Sequence, residues 1–383
     1  MKSLRPATLF ILSILALCVA PLDAQEIAPR LNPFVEAHTL AGAVVLVADK
    51  DRVLDVEAVG YADIANNRAM AADSLFWIAS QSKPITATAF MMLVDEGKVK
   101  LDDPVKKYLP EFGNLWLAAE SDDQHILLKR PHRPITVQDV LTHTSGLPFS
   151  SAMETPMLDG LTLRDAARSY AMTPLMTEPG AKYQYSNAGI NTAARIIEVV
   201  SGMTYEKFLE SRLLQPLGMN DTTFRPTLEQ QKRLAKPYKP DSAKAGLEET
   251  TIGQLRYPLE DPTRHPMPAG GLFSTAADVA KFCRIVLNGG TLDGKRYLSE
   301  ESVREMTRNQ TGPADKGGYG LGWAVNGDEA GHGGALATNM SIDRKRGLIL
   351  VWMVQHAGYP GDGGRAQSVF REAAIGMFGG SKR

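Results

Sequence analysis

Leu75-Phe76-Trp77-Ile78-Ala79-Ser80-Gln81-Ser82-Lys83-Pro84-Ile85-Thr86-Ala87 puts a serine hydroxyl and a lysine amine three residues apart, at Ser80 and Lys83. If a helix begins at the serine, both groups stack on one face, roughly 5–6 Å apart at Cβ, where the amine can take the hydroxyl proton. Pro84 supports a helix start there, because proline lacks the N–H that a helix interior needs and is tolerated in the first turn. Ala87, Phe90, Met91 and Val94 recur at helical spacing until Gly97 closes the segment. A serine and a lysine at this spacing also occur on ordinary solvated helices, so the rest of the chain has to carry the argument.

Two further stretches add to it. Tyr185-Ser186-Asn187 opens the helical pattern Ala188, Ile190, Ala193, Ile196, Ile197, Val200, and follows the turn Glu178-Pro179-Gly180. Gly331-His332-Gly333-Gly334 stands just before the alternating segment Ala337 to Ile342, which reads as a strand. Taken singly, Tyr185 reads as a core aromatic, Asn187 as a helix cap and His332 as a strand histidine. In this order the three motifs resemble the serine β-lactamase and penicillin-binding-protein superfamily, in particular the class C β-lactamases and the family VIII carboxylesterases. Leu141-Thr142-His143-Thr144-Ser145-Gly146-Leu147, Pro268-Ala269-Gly270-Gly271-Leu272 and Tyr319-Gly320-Leu321-Gly322-Trp323 fit the same family, and the resemblance runs from about Pro33 to about Phe378.

The β-rich runs lie at the two ends of the chain. Gly42 to Ala48 and Arg52 to Tyr61 form a hairpin across Asp49-Lys50-Asp51; Gly320 to Val325, Ala337 to Asp343 and Leu348 to Gln355 supply three more strands, and a last helix covers Ala366 to Phe378. The middle is helical, with Thr136 to Leu141, Leu163 to Ala171, Asn187 to Val200 and Tyr205 to Leu214, interrupted by aperiodic stretches at Glu111 to Pro134 and Lys236 to Met267. This pattern predicts an α+β fold in which one antiparallel sheet is built from both chain ends. The resemblance implies an α/β sandwich (about residues 25–100 and 267–383), a helical insertion (about 101–266) and an active site in the cleft between them.

Composition narrows the function classes. With 42 basic and 43 acidic residues in 383, and 44% hydrophobic residues, the chain is globular and carries no field to steer nucleic acid or an acidic membrane. Lys2 and Arg5, the apolar run Ala7 to Ala20 and the polar Asp23 and Gln25 have the layout of a secretory signal peptide over residues 1–24. The expectation is a periplasmic or secreted protein with no stable membrane anchor after cleavage. That leaves Cys283 as the sole cysteine, with no disulfide to make, on a helix patterned by Val279, Phe282 and Val286 and capped by Thr275 and Asp278, where a buried filler is expected. The seven histidines lack metal-ligand spacing, so neither metal nor cofactor is expected. Gly289 to Lys295 matches the glycines and lysine of a P-loop, but Arg296 stands where Ser/Thr must hold magnesium, and the segment reads as a turn.

Ser80 as nucleophile must lose its proton as it attacks a carbonyl carbon. Lys83 helps only if burial takes its pKa well below about 10.4, and an ammonium near Tyr185 would favour the phenolate. The resemblance implies that Lys83 and Tyr185 together act as the general base for Ser80 and later as the acid for the leaving group. It also implies an oxyanion hole from the backbone amides of Ser80 and Ala335, with Asn187, His332, Gly333 and Gly334 binding substrate. His143 and Ser145 become a structural turn near the cleft.

The third motif departs from the lactamase pattern, usually Lys-Thr-Gly: here it is His332-Gly333-Gly334, with no hydroxyl and a histidine that is mostly neutral near pH 7. Uncharged esters suit such a site better than anionic β-lactams. The expectation is a serine hydrolase acting on small acyl esters. The alternatives are an amide-bond hydrolase of the same mechanism, a β-lactamase or D-amino-acid peptidase, and a non-catalytic binding module that kept the fold. The oligomeric state is not legible.

Overall fold

The computed structural model describes residues 26–312 and 317–380; the expected signal peptide lies outside them. Both chain ends meet in one eight-stranded antiparallel sheet, ordered Gly318–Tyr319, Ala324–Asn326, Glu329–Gly333, Asn339–Asp343, Leu348–Met353, Gly42–Ala48, Val53–Asp63 and Arg68–Ala69. The first long strand pairs with the last, Val44 opposite Met353 and Ala48 opposite Ile349. Every residue of Gly42–Ala48 is buried, so this strand is covered on both faces. Alternation sends Val44 and Leu46 to one face and Val45 and Val47 to the other. The second face packs on Leu31 and Phe34 of the helix Ala28–Glu36 and Phe370 of Ala366–Phe378, the first on the helix Ala276–Leu287.

Beyond that helix lies the segment that carries Ser80. Every residue of the helix Ser82–Asp95 from Ser82 to Leu93 is buried, so the apolar stripe at Ala87, Phe90, Met91 and Val94 marks only part of what it packs. A single apolar cluster runs from the sheet through Ile85, Phe90 and Leu93 into Val137, Ile190, Ile197 and Phe208 of the helical region. Burying each large side chain of this kind contributes about 1.5–3 kcal/mol, so the two regions are cemented along this helix.

Several elements differ from the sequence reading. The expected strand Gly320 to Val325 is split: Gly318–Tyr319 pairs with Ala324–Asn326 across a turn closed by Gly320 N–H on Trp323 O at 2.8 Å. His332 and Gly333 belong to a strand of their own, Glu329–Gly333, rather than merely preceding one. Two short hairpins interrupt the helical middle, Leu117–Ser121 with Ile126–Lys129 and Tyr238–Pro240 with Leu247–Glu249. Ile126, Leu127 and Leu128 are all exposed, so no alternation marked the first of them. The stretch Lys236 to Met267 is anchored: Ile252, Leu255 and Leu259 pack on Leu75, Trp77 and Phe273. Within it Arg264 Nε donates to Asp159 Oδ2 at 2.7 Å, both side chains buried.

Cys283 is buried in its helix, where Thr275 caps the Asp278 amide, and burial pushes its thiol pKa up. The P-loop look-alike is a tight hairpin, Thr291–Leu292 with Lys295–Arg296. Among the described residues no helix is long and apolar enough to cross a membrane, and no group of His, Cys, Asp and Glu could hold a metal ion.

Candidate active site

The strand Phe76–Trp77, paired with Phe273–Ser274, delivers the chain to a 3-10 turn at Ala79–Gln81, and the α-helix proper starts at Ser82. Ser80 therefore sits in the tighter turn before the helix. Ala79 has φ +45°, a left-handed conformation that costs a non-glycine residue on the order of 1–2 kcal/mol. Ser82 Oγ holds it by donating to Ala79 O at 2.7 Å. The bend leaves Ser80 half-buried while Gln81, Ser82 and Lys83 are buried.

Lys83 Nζ has three oxygens around it: Ser80 Oγ at 3.0 Å, Asn187 Oδ1 at 2.8 Å and Ala269 O at 2.7 Å. Burial holds its pKa well below the usual lysine value. A neutral amine has two hydrogens and one lone pair. Asn187 Oδ1 and Ala269 O are acceptors only, so they take both hydrogens, and the lone pair is left facing the Ser80 hydroxyl.

Tyr185 approaches from the helical side. Ser186 caps the helix Asn187–Ser201 by accepting the Gly189 amide at 3.0 Å, and the amide of Asn187 donates to Phe149 O at 3.0 Å. The Tyr185 phenol lies beside the Ser80 side chain, and Lys83 Nζ lies over its ring, 4.6 Å from the centroid. Burial raises the Tyr185 pKa, with the polar Ser80 side chain opposing it. The phenolate is therefore not the favoured form, because burial disfavours the charged oxygen more than Ser80 favours it. Ser80, Lys83, Tyr185 and Asn187 converge although Lys83 and Asn187 stand 104 positions apart in the chain.

His332 is buried on the strand Glu329–Gly333, with Nδ1 2.7 Å from Gly333 O and Nε2 3.0 Å from Tyr319 Oη. Burial, then the neighbouring Lys83, pulls its pKa down to about 3. The end of this strand is pressed against the residues before the serine. A Cβ on Gly334 would lie 2.6 Å from Ile78 O and 2.2 Å from Thr338 Oγ1, so only glycine fits. Ala335 follows in an exposed turn, directly after the glycine that touches Ile78.

Sequence reasoning missed several of these contacts. The Ala269 carbonyl and Tyr319 lie in phrases that were recognised, yet nothing in a residue pattern marks a backbone carbonyl as a ligand of Lys83. His143, read as part of a structural turn, packs its ring 4.6 Å from both Tyr185 and Tyr319 and accepts the Ser186 amide on Nδ1 at 3.2 Å. A cavity of about 690 Å³ opens beside the group, lined by Tyr183, Tyr185, Tyr319, His332, Gly333 and Arg371.

A half-buried serine beside a buried lysine and a tyrosine, at the junction of an antiparallel sheet and a helical layer, defines a serine hydrolase of β-lactamase/transpeptidase-like fold. The chain belongs to the β-lactamase family, whose model, described as Beta-lactamase, matches residues 27–374. It is 33% identical over 362 residues to an uncharacterized protein of Mycobacterium tuberculosis, covering 84% of this chain and 87% of that one. It is 29% identical to esterase EstB of Burkholderia gladioli, covering 92% and 96%. Among solved structures it resembles EstCE1, described as a hydrolase with promiscuous acyltransferase activity, with a TM-score of 0.74 and 26% identity over 91% of this chain and 98% of that one.

Proposed function

We propose that the chain is exported and hydrolyses small, uncharged acyl esters through an acyl-Ser80 intermediate. Ser80 Oγ attacks the ester carbonyl carbon and passes its proton to the Lys83 amine. The backbone amides of Ser80 and Ala335 receive the oxyanion, each such donor being worth about 2.7–4 kcal/mol of barrier. Tyr185 gives its phenolic proton to the departing alcohol oxygen as the C–O bond breaks, and the Lys83 ammonium restores it. Water then attacks the acyl carbonyl, losing its proton to the same pair, and Ser80 leaves with a proton. Asn187 holds the Lys83 amine and the substrate carbonyl side; Gly333 and Gly334 let the strand lie close to the substrate.

The observation that carries the ester reading is His332. It is neutral with both ring nitrogens engaged, where a carboxylate-binding site needs a cation and a free donor. The similarity to an esterase over nearly the whole of both chains supports it. Export rests on the layout of residues 1–24, and N-terminal sequencing of the secreted or periplasmic protein, expected to begin at Gln25, tests it.

The decisive assay measures p-nitrophenyl butyrate and nitrocefin turnover by the wild type and by Ser80→Ala. Ester hydrolysis that disappears in the variant is expected. Nitrocefin turnover of comparable efficiency overturns the ester preference in favour of amide-bond chemistry, and equal activity in both proteins removes Ser80 from the mechanism.

A further inference from the structure

We propose that Asn191, backed by Tyr170 and Glu154, is a positioning residue that aims the Lys83 amine through residue 269; this rests on reading Lys83 as the base for Ser80. Asn191 lies one turn after Asn187, on the same face of the helix Asn187–Ser201. Asn187 touches the amine directly. Asn191 reaches it at one remove: its Oδ1 accepts the Ala269 amide at 3.0 Å, and Ala269 O accepts from Lys83 Nζ at 2.7 Å. The peptide joining Pro268 to Ala269 is gripped on its other edge by Thr86, whose hydroxyl is 2.8 Å from Pro268 O. This peptide precedes the one that carries the Ala269 carbonyl, whose other edge is held by the Gly270 amide on Met267 O at 3.0 Å; with the two peptides held, the carbonyl is aimed at the amine.

The grip is itself determined from behind. Asn191 Nδ2 donates to Tyr170 Oη at 3.0 Å, Tyr170 donates to Glu154 Oε1 at 2.5 Å, and Glu154 Oε2 accepts the Ser151 amide at 2.8 Å. Glu154, Tyr170 and Asn191 are all buried. Glu154 takes the Tyr170 hydrogen, which leaves the phenol oxygen to accept from Asn191, and this forces the asparagine to turn its oxygen toward Ala269. Every bond in the series therefore has one direction, and each polar group has a partner. A fully satisfied buried network of this kind rigidifies what it touches, whereas apolar residues of the same volume would fill the space without orienting anything.

The titratable and polar groups facing Lys83 are Ser80, Tyr185, His143, His332 and Asn187. Glu154 is faced by Tyr170 and by Ser151, which Ser169 contacts at 2.8 Å. Of these only Tyr170 is altered in the test, and its phenol faces Glu154 and Asn191, not Lys83.

The test is the pH profile of p-nitrophenyl butyrate hydrolysis by Asn191→Leu and Tyr170→Phe, with thermal melts to confirm folding. Misaiming a reacting group costs rate more than binding, so Asn191→Leu is expected to lower kcat about 10-fold with KM changed less than about twofold. The acid limb of kcat/KM is expected to move to lower pH, because an ammonium loses more than an amine does when the Ala269 carbonyl swings away. Tyr170→Phe leaves Asn191 in place and is expected to lose about threefold, with the limb displaced the same way. A kcat loss with the limb fixed, or unchanged kcat in both variants, overturns the proposal; if Asn191→Leu does not fold, Tyr170→Phe decides alone. Activity surviving in Ser80→Ala would remove the underlying reading and this inference with it. Activity lost in Ser80→Ala yet untouched in the two variants overturns the inference alone.

Discussion

Tyr319 donates its hydroxyl hydrogen to Nε2 of His332 across 3.0 Å, because the other ring nitrogen, Nδ1, faces the Gly333 carbonyl at 2.7 Å and must carry the hydrogen there. The imidazole is thereby fixed as one neutral tautomer with no donor left over. The strand that would grip an anionic substrate in a lysine-bearing relative instead presents an uncharged, saturated ring.

Discrimination by substrate charge follows. p-Nitrophenyl butyrate is expected to exceed p-nitrophenyl hemisuccinate, which carries a carboxylate at the chain end, by at least about 10-fold in kcat/KM. Equal efficiencies would show that another cation receives the carboxylate. With a pKa of about 3, His332 contributes no limb to the activity profile in the range of about pH 5–9.

Lys83 is expected to supply the acid limb. Burial lowers its pKa, which extends the neutral amine to lower pH, and activity is expected to fall as pH drops through that lowered value. The slope should be that of one proton. Lys83→Met is expected to cut acylation by about 10²–10⁴. Lys83→Arg should be no better, since a guanidinium cannot give up its proton. Single-turnover measurements against pH check both.

Tyr185→Phe removes a phenol that burial keeps protonated. A loss of about 10²–10⁴ in acylation is expected, the usual worth of a positioned proton donor. No loss would reassign proton transfer to Lys83 alone.

Gly334→Ala forces a methyl group against the Ile78 carbonyl and Thr338. Backbone has to give way, at a cost of about 1–3 kcal/mol visible in the melting temperature. The Ala335 turn moves with it, so kcat should fall more than KM rises. A variant with wild-type kcat would detach the Ala335 amide from the oxyanion.

Cys283 should be inert to thiol reagents in the native protein, because its side chain is fully buried and its thiolate disfavoured. Labelling with a chromogenic disulfide is expected only at the rate of unfolding; fast labelling would mean that the helix Ala276–Leu287 opens.

Much of the site was legible because its chemistry sits at helix and strand starts, where local signals are strong. Ser80, Lys83, Tyr185 and Asn187 are marked by Pro84 and by the helical periods that follow, although the helix cap read at Asn187 falls on Ser186, and the sheet strands are marked by runs of β-branched residues. What escaped depends on contacts that no period encodes. The lysine's second acceptor is a main-chain carbonyl, the tautomer of His332 is set by the Gly333 carbonyl with Tyr319 reaching across from two strands away, and the sign of the Tyr185 shift depends on burial, which a sequence shows poorly. The hairpin at Leu117 to Lys129 was missed because its apolar residues are consecutive and exposed rather than alternating.

The helix Ser82–Asp95 is enclosed along nearly its whole length by side chains from both the sheet and the helical region. Its amides are then expected to exchange with solvent only when the entire molecule opens, so local fluctuation does not displace Lys83 while the remainder stays native. Heat inactivation and global melting should coincide. Surface excursions such as the exposed strand Ile126–Lys129, which shares little of that enclosure, are where sequence can drift without touching its endurance.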